Sequence, residues 1–149
     1  MKKSLFIAFV AVLAVGCSST PNKSSVSSSG EIEKEWAEEG ITKNYIFARG
    51  IGAADQTQES ATQRRANSRD SAIVNAQYHM LSFVKGVTLE GGITVEKAIL
   101  TDSVLATKID ATIKGAYINH TEWTNDDGCV IQLKLPKAVL KDAGMKIRE

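Results

Sequence analysis

The chain has few of the residues that build metal centres or covalent cross-links. Among its 149 residues it has two cysteines, Cys17 and Cys129, and two histidines, His79 and His120. Zinc sites in proteins gather Cys and His ligands at short, characteristic spacings. Neither histidine has a partner at such a spacing, so the sequence predicts no metal site.

The chain also lacks a long hydrophobic run. Its main apolar run, Leu5–Val15, has eleven residues, whereas a membrane-spanning helix needs about 20. Lys2 and Lys3 precede the run, and Gly16 and Cys17 follow it. A basic start, a short apolar stretch and a small residue at the cut are typical of a bacterial secretory signal.

A strong excess of charge of either sign is missing as well. The formal net charge is +1, and it falls to about −1 once Lys2 and Lys3 leave with the signal. Proteins that bind nucleic acid neutralise many phosphates with lysine and arginine. The sequence therefore predicts no nucleic-acid partner and no attraction to a strongly anionic surface.

No complete catalytic or cofactor motif is present. A Gly-x-Ser-x-Gly nucleophile motif does not occur. Gly50-x-Gly52 lacks the third glycine and the later acid of a dinucleotide fingerprint. Asn125-Asp126-Asp127-Gly128 lacks the ligand spacing of a calcium loop. We therefore expect no enzyme, no catalytic residue and no cofactor.

Cys17 is the most informative residue that is present. The segment Leu13–Cys17 resembles the lipobox of bacterial lipoproteins, with Ala14 where those proteins most often have Leu. The resemblance implies removal of residues 1–16 and lipidation of Cys17. Ser18, rather than Asp, follows the cysteine, which implies the outer membrane of a Gram-negative cell. An ordinary secretory signal with an incidental cysteine is the alternative.

Residues 17–30 predict a polar tether, because serine dominates and almost nothing can be buried. Its thirteen residues after Cys17 reach at most about 43 Å when extended. Residues 31–149 are long enough for one small folded domain.

Lipidation of the Cys17 thiol would leave Cys129 without an intramolecular disulfide partner. We therefore expect Cys129 to be a buried cysteine in a strand, with an intermolecular bridge as the minor alternative.

The clearest predicted element is a helix over 58–84, a stretch without Gly or Pro. Its small early residues predict a close approach to a sheet, and its bulky late residues predict a larger core. An apolar stripe is predicted from residues at helical spacing: Ala66, Ile73, Ala76, Met80 and Val84. Three arginines on the early half are expected to form a solvated face that pairs with Glu59 and Asp70: Arg64, Arg65 and Arg69.

The remaining segments predict a small antiparallel sheet. A strand is expected over 45–52, and Asp127-Gly128 between 116–123 and 129–135 is a strong hairpin signal. The second strand should bury only its odd-numbered face, from Cys129 to Leu135. Short β-like pieces are predicted over 87–90 and 93–95.

Helices are expected over 31–39, where Ile32 and Trp36 share a face, and over 137–145, with Val139 and Leu140 facing inward. Segment 103–114 fits both a strand, by alternation, and a helix, by an N-cap at Asp102-Ser103; we favour the helix. Together these segments predict an α+β fold, in which a small antiparallel sheet with a C-terminal hairpin packs on one long helix, with short flanking helices.

The order of these motifs resembles the LPP-twenty lipoprotein family. The resemblance covers about residues 36–136 and the signal, and it rests on Trp36, the Ala48–Ala53 strand end and the Ala/Arg/Asp-rich helix segment Arg64–Ala72. Glu35 stands where the family often has Pro, and Asn67-Ser68 replaces alanine that the family helix usually carries.

The resemblance implies a non-enzymatic lipoprotein, anchored in the outer membrane through Cys17 and facing the periplasm. Flagellar members of the family build a ring or disk around the motor, which implies a homo-oligomer here and other flagellar ring proteins as further candidate partners. The alternative function is a monomeric, lipid-anchored binding module or surface antigen of the envelope.

Overall fold

The computed structural model describes residues 39–148, and it confirms an α+β fold with a small antiparallel sheet and one long helix. The predicted signal, the tether, Cys17 and most of the predicted helix over 31–39 lie outside the described residues. The elements, in chain order, are β1 (Gly40–Ile41), β2 (Tyr45–Gly52), α1 (Ala61–Lys85), α2 (Val95–Thr101), α3 (Ser103–Lys114), β3 (Tyr117–Trp123), β4 (Cys129–Pro136) and α4 (Lys137–Asp142).

The sheet has the strand order β1-β2-β4-β3, and every neighbouring pair is antiparallel. The β3–β4 hairpin forms as predicted, with Trp123 opposite Cys129 next to the turn. The last strand, β4, then lies in the middle of the sheet, where it pairs with β2 from Tyr45↔Pro136 to Gly52↔Cys129. This pairing brings the end of β2 beside the hairpin turn.

Helix α1 begins after Ser60, whose side chain accepts a hydrogen bond from the Gln63 backbone N–H. The helix is confirmed, but its buried stripe differs from the predicted one. The fully buried positions are Ser68, Ala72, Ala76, Met80 and Val84. Ala66 is exposed and Ile73 is half-buried, so the first turns face the sheet through a different set of small residues.

The early half of α1 lies against β2 with almost no space between the backbones. A Cβ atom built on Gly50 would stand 1.9 Å from the Ala72 carbonyl oxygen, and one on Gly52 would stand 1.9 Å from that of Ser68. Real side chains do not approach backbone atoms this closely, so only glycine fits at either place. The predicted close approach of helix and sheet is therefore present.

The core widens beyond this contact. Met80 and Val84 of α1 belong to a buried cluster with residues of the sheet and the later helices, among them Ile46, Ile109, Ile113, Leu133, Leu135 and Leu140.

The segment 103–114 is helical, as favoured from the sequence. The Asp102 carboxylate accepts from the Leu105 N–H at 3.0 Å, and Gly115 is the C-cap.

Three local predictions are wrong. Val95 begins helix α2 rather than ending a strand, because the Thr94 side chain caps the helix by accepting from the Lys97 N–H. Both faces of β4 are buried near the turn, since Val130 is 0% exposed and Gln132 only 3%. The Asn119 side chain of β3 donates to Oε1 of Gln132 at 2.6 Å, which satisfies this polar group on the face that was expected to be exposed. Val139 is exposed, whereas Leu140 is buried as expected.

The edge of β2 beyond β1 is closed by side chains instead of by another strand. The Arg49 N–H donates to Oε1 of Glu39 at 2.9 Å, and the Ile51 N–H donates to Oδ1 of Asn75 on α1 at 3.1 Å. Glu39 also lies 3.6 Å from the Arg49 guanidinium and 3.2 Å from Nδ1 of His79. These contacts satisfy two backbone donors that β1, with only two residues, does not reach.

Candidate functional site

The β3–β4 turn places a carboxylate beside the first turns of α1. Asp127 adopts a left-handed backbone conformation, with φ 65°, which the short Asp side chain tolerates better than most. The Thr124 N–H donates to the Gly128 carbonyl at 2.9 Å and closes the turn, and the Thr124 hydroxyl donates to the Asp126 carboxylate. The Asp127 side chain is thereby directed toward α1.

Arg64 and Arg65 both bind this carboxylate. Arg64 donates to Oδ2 from Nε at 2.9 Å and from Nη2 at 2.7 Å, and Arg65 donates from Nε to Oδ1 at 2.7 Å. The predicted pairing of these arginines with Glu59 and Asp70 is therefore wrong. The Asp127 carboxylate on the hairpin turn is partly buried. Water therefore weakens its attraction to the arginines less than it weakens the attraction of an exposed acid.

Further contacts complete what we call the Asp127 cluster: Arg64, Arg65, Ser68 and Asp127. The buried Ser68 hydroxyl donates to the Asp127 carbonyl at 2.7 Å, and the Arg65 guanidinium lies 5.5 Å from the centre of the Trp123 ring. Hydrogen bonds from Arg65 and then Arg64 hold the pKa of Asp127 below its usual value. Both carboxylate oxygens accept bonds from arginine, so the cluster joins α1 to the hairpin rather than presenting a group for proton transfer.

The two histidines and Cys129 are placed apart. His79 lies on α1 beside Glu39, His120 lies on β3, and within residues 39–148 no three His, Cys, Asp or Glu side chains form a group that could hold a metal ion. Cys129 is fully buried in β4, as predicted, and burial raises the pKa of its thiol to about 11. A protonated, inaccessible thiol is a poor nucleophile.

No helix within the described part of the chain is both long and apolar enough to cross a membrane. This finding concerns residues 39–148 only, and the predicted anchor at Cys17 lies before them.

A basic cleft in the described part of the chain has room for a ligand. It has a volume of about 530 Å³ and lies where β1 leads into β2 and β4 leads into α4. Four cations line it, together with five neutral residues: Lys43, Lys137, Lys141 and Arg148, with Asn44, Tyr45, Pro136, Ala138 and Ile147. Within residues 39–148, no carboxylate is among the lining residues.

Backbone hydrogen bonds fix the walls of the basic cleft. The Lys137 N–H donates to the Asn44 carbonyl at 2.9 Å, which joins the start of α4 to the loop before β2. The Arg148 N–H donates to the Thr88 carbonyl at 3.0 Å, and Ile147 pairs with Leu89 in an isolated β-bridge. The C-terminal segment is thus held against the domain and supplies one side of the cleft.

The sequence does not reveal this cleft in advance. Lys137 and Lys141 are four residues apart on a predicted helix, which is an ordinary spacing on a solvated face. Lys43 and Arg148 lie near opposite ends of the domain. The pairing of β2 with β4 brings Lys43 close to α4, and the contacts of the C-terminal segment with Thr88 and Leu89 place Arg148 beside them.

The comparisons with known proteins return no relative. No protein-family model matches the sequence, and neither the curated proteins nor the solved structures include a significant match.

Proposed function

We propose that the chain is a non-enzymatic outer-membrane lipoprotein that self-associates into a periplasmic ring or disk and supports flagellar motor assembly and motility. The observation that carries the proposal is the order of residues at the start of the chain. Two lysines, an eleven-residue apolar run, Gly16 and Cys17 follow one another as they do in lipoprotein signals. The flagellar role rests on the resemblance of residues 36–136 to the LPP-twenty family.

Exposed apolar side chains support the self-association. Leu100 at the end of α2 is 81% exposed and Val104 at the start of α3 is 63% exposed. On α1, Val74 and Tyr78 lie one turn apart and are 65% and 70% exposed. A ring needs two different complementary surfaces on each subunit, and these two pairs on different helices are candidates.

An anchor strengthens weak contacts between such surfaces. Several acyl chains on one residue hold a protein stably on a membrane, whereas one chain holds it only marginally. Subunits confined to one membrane meet at a high effective concentration, so contacts that are weak in solution can close an assembly. The short tether, of about 43 Å at most, keeps the domains in one layer.

The anchor is tested with Cys17→Ser. We expect this variant to lose acylation and to leave the outer-membrane fraction, as followed by metabolic labelling with a fatty-acid analogue and by fractionation. Cys129→Ser is the matched control, and it should still be labelled and fractionate normally. Unchanged outer-membrane location of the Cys17 variant would contradict lipidation as the basis of attachment.

Self-association is tested with Leu100→Glu, compared with Lys97→Glu on the same helix. Chemical cross-linking of the full chain in whole cells should give oligomer ladders for the unchanged chain and for the Lys97 variant. The ladders should weaken for the Leu100 variant, because a charge replaces an apolar contact. A strictly monomeric unchanged chain would favour the alternative, a lipid-anchored binding module.

The flagellar role is tested by deleting the gene. Loss of swimming, together with loss of a disk or ring at the motor in cryo-tomograms, is the expected result. Normal motility with an unchanged motor would contradict the flagellar part of the proposal and would leave the lipoprotein part standing.

A further inference from the structure

We propose that the basic cleft binds a phosphate-bearing anion. The inference is independent of the ring, because it rests on the described residues that line this cleft. Its volume of about 530 Å³ lies within the range of small-molecule pockets, about 300–1,000 Å³. The nine lining residues in the described part of the chain include four cations and no acid.

Positive charge is concentrated in this cleft. Four basic side chains elsewhere lie beside carboxylates: Arg64 and Arg65 with Asp127, Arg49 with Glu39, and Lys114 with Asp110. Lys43, Lys137 and Arg148 form no ion pair with any carboxylate in the described part of the chain. Like charges gathered in one cleft repel each other, and an anion that enters it relieves this repulsion.

The composition of the cleft suits a phosphate group. Its lysines supply compact point charges of the kind that bind phosphate, and Arg148 adds a planar guanidinium that can bind two phosphate oxygens. The neutral wall adds the Tyr45 ring, Pro136 and Ile147, against which the organic part of a phosphate ester can pack. The ligand class is therefore a phosphate monoester or diester carried on a small organic group.

Such a phosphate could be soluble or could belong to a phospholipid headgroup. Two probes distinguish these sources: inorganic pyrophosphate, and vesicles of phosphatidylglycerol with phosphatidylcholine compared with phosphatidylcholine alone. The protein is the full chain carrying Cys17→Ser, so that no acyl anchor contributes to vesicle binding. Binding is measured by calorimetric titration and by vesicle co-sedimentation.

The test variant is Lys43→Gln with Lys137→Gln, and the control is Lys97→Gln with Lys108→Gln, which removes the same charge from exposed positions outside the cleft. We expect the cleft variant to bind at least about tenfold more weakly and the control to bind as the parent does. Circular dichroism and thermal unfolding of both variants establish that they are folded. Raising the salt concentration should weaken binding by the parent.

Pyrophosphate binding that depends on the cleft indicates a soluble ligand, and cleft-dependent binding to anionic vesicles alone indicates a headgroup. Either outcome supports the proposal. No binding of either probe, or an equal loss in both variants, would overturn it, because an equal loss reports net charge and not this cleft. These binding measurements do not depend on ring formation in cells. Failure of the ring proposal and failure of the cleft proposal therefore give different results.

Discussion

The two halves of α1 are held against the domain in opposite ways. The early half meets β2 through Ser68, Ala72 and Ala76, which face Gly50 and Gly52 with nearly touching backbones. The late half carries larger buried side chains, Met80 and Val84, which fill space between the sheet and the later helices.

The difference shows that one helix can depend on two kinds of packing. The early half has no room for an added atom, because the nearest neighbours of any added Cβ are backbone atoms that cannot rotate away. The late half has little tolerance for lost atoms, because buried side chains are close-packed and a deleted group leaves a cavity. Substitutions that add atoms should therefore be the most damaging in the early half, and substitutions that remove atoms should be the most damaging in the late half.

The largest effect is expected for Gly50→Ala, which adds a single methyl group to the early contact. The new Cβ would lie 1.9 Å from the Ala72 carbonyl oxygen and 2.4 Å from the Ala76 nitrogen, so α1 must move away from β2. We expect a loss of more than about 4 kcal/mol in the free energy of unfolding, measured by urea denaturation.

Gly115→Ala is the control for this change. Its added Cβ meets nothing closer than 3.5 Å, and the backbone of Gly115 has a negative φ that alanine adopts freely. Its effect should stay within about 1 kcal/mol and can be slightly stabilising. Similar small effects at both glycines would show that the close approach is not essential to the fold.

A smaller effect is expected for Met80→Ala in the late half. Met80 is fully buried, and its truncation should cost about 3 kcal/mol through lost burial and the residual cavity. Val74→Ala on the exposed side of the same helix should cost less than about 0.5 kcal/mol. A Met80 variant as stable as the Val74 variant would mean that the late half is loosely packed.

The smallest effect is expected for Asp127→Asn, which removes the charge shared by Arg64 and Arg65. Asparagine tolerates the positive φ of this position, so the variant reports the charge and not the turn. The unchanged protein should be the more stable one at neutral pH, and Asp110→Asn, at an exposed helical pair, should change stability less.

The pH dependence has a definite sign. Because the pKa of Asp127 is lowered in the folded protein, its charge stabilises the fold fully above the unfolded pKa of about 3.9. The contribution falls as the pH drops through the lower, folded pKa. The difference between the unchanged protein and Asp127→Asn should therefore shrink in acid. Denaturation curves that keep a constant difference down to the lowest pH would contradict the arginine contacts.

The elements that were predictable from the sequence are those that local chemistry specifies. Asp127-Gly128 between two β-rich runs defines the hairpin, and a long stretch without Gly or Pro defines α1. The contrast between small and bulky residues along α1 indicated its two kinds of packing. Each of these signals comes from residues that are close in sequence to the element that they specify.

The features that were missed depend on contacts between distant parts of the chain. Arg65 and Asp127 are 62 residues apart, and a nearer acid such as Asp70 is the obvious partner from sequence alone. Ser68 was missed as a buried residue because its hydroxyl finds one of its two acceptors, the Asp127 carbonyl, on the distant hairpin; the other is the Arg65 carbonyl on its own helix. The basic cleft likewise assembles from both ends of the domain.

The closed edge of β2 has a consequence for proteins crowded on a surface. Free backbone N–H groups at a sheet edge recruit strands from neighbouring molecules and can start open-ended aggregation. The Glu39 and Asn75 side chains already occupy the Arg49 and Ile51 donors. Copies of this domain can therefore be packed side by side while this edge resists fusion into a continuous fibrillar sheet.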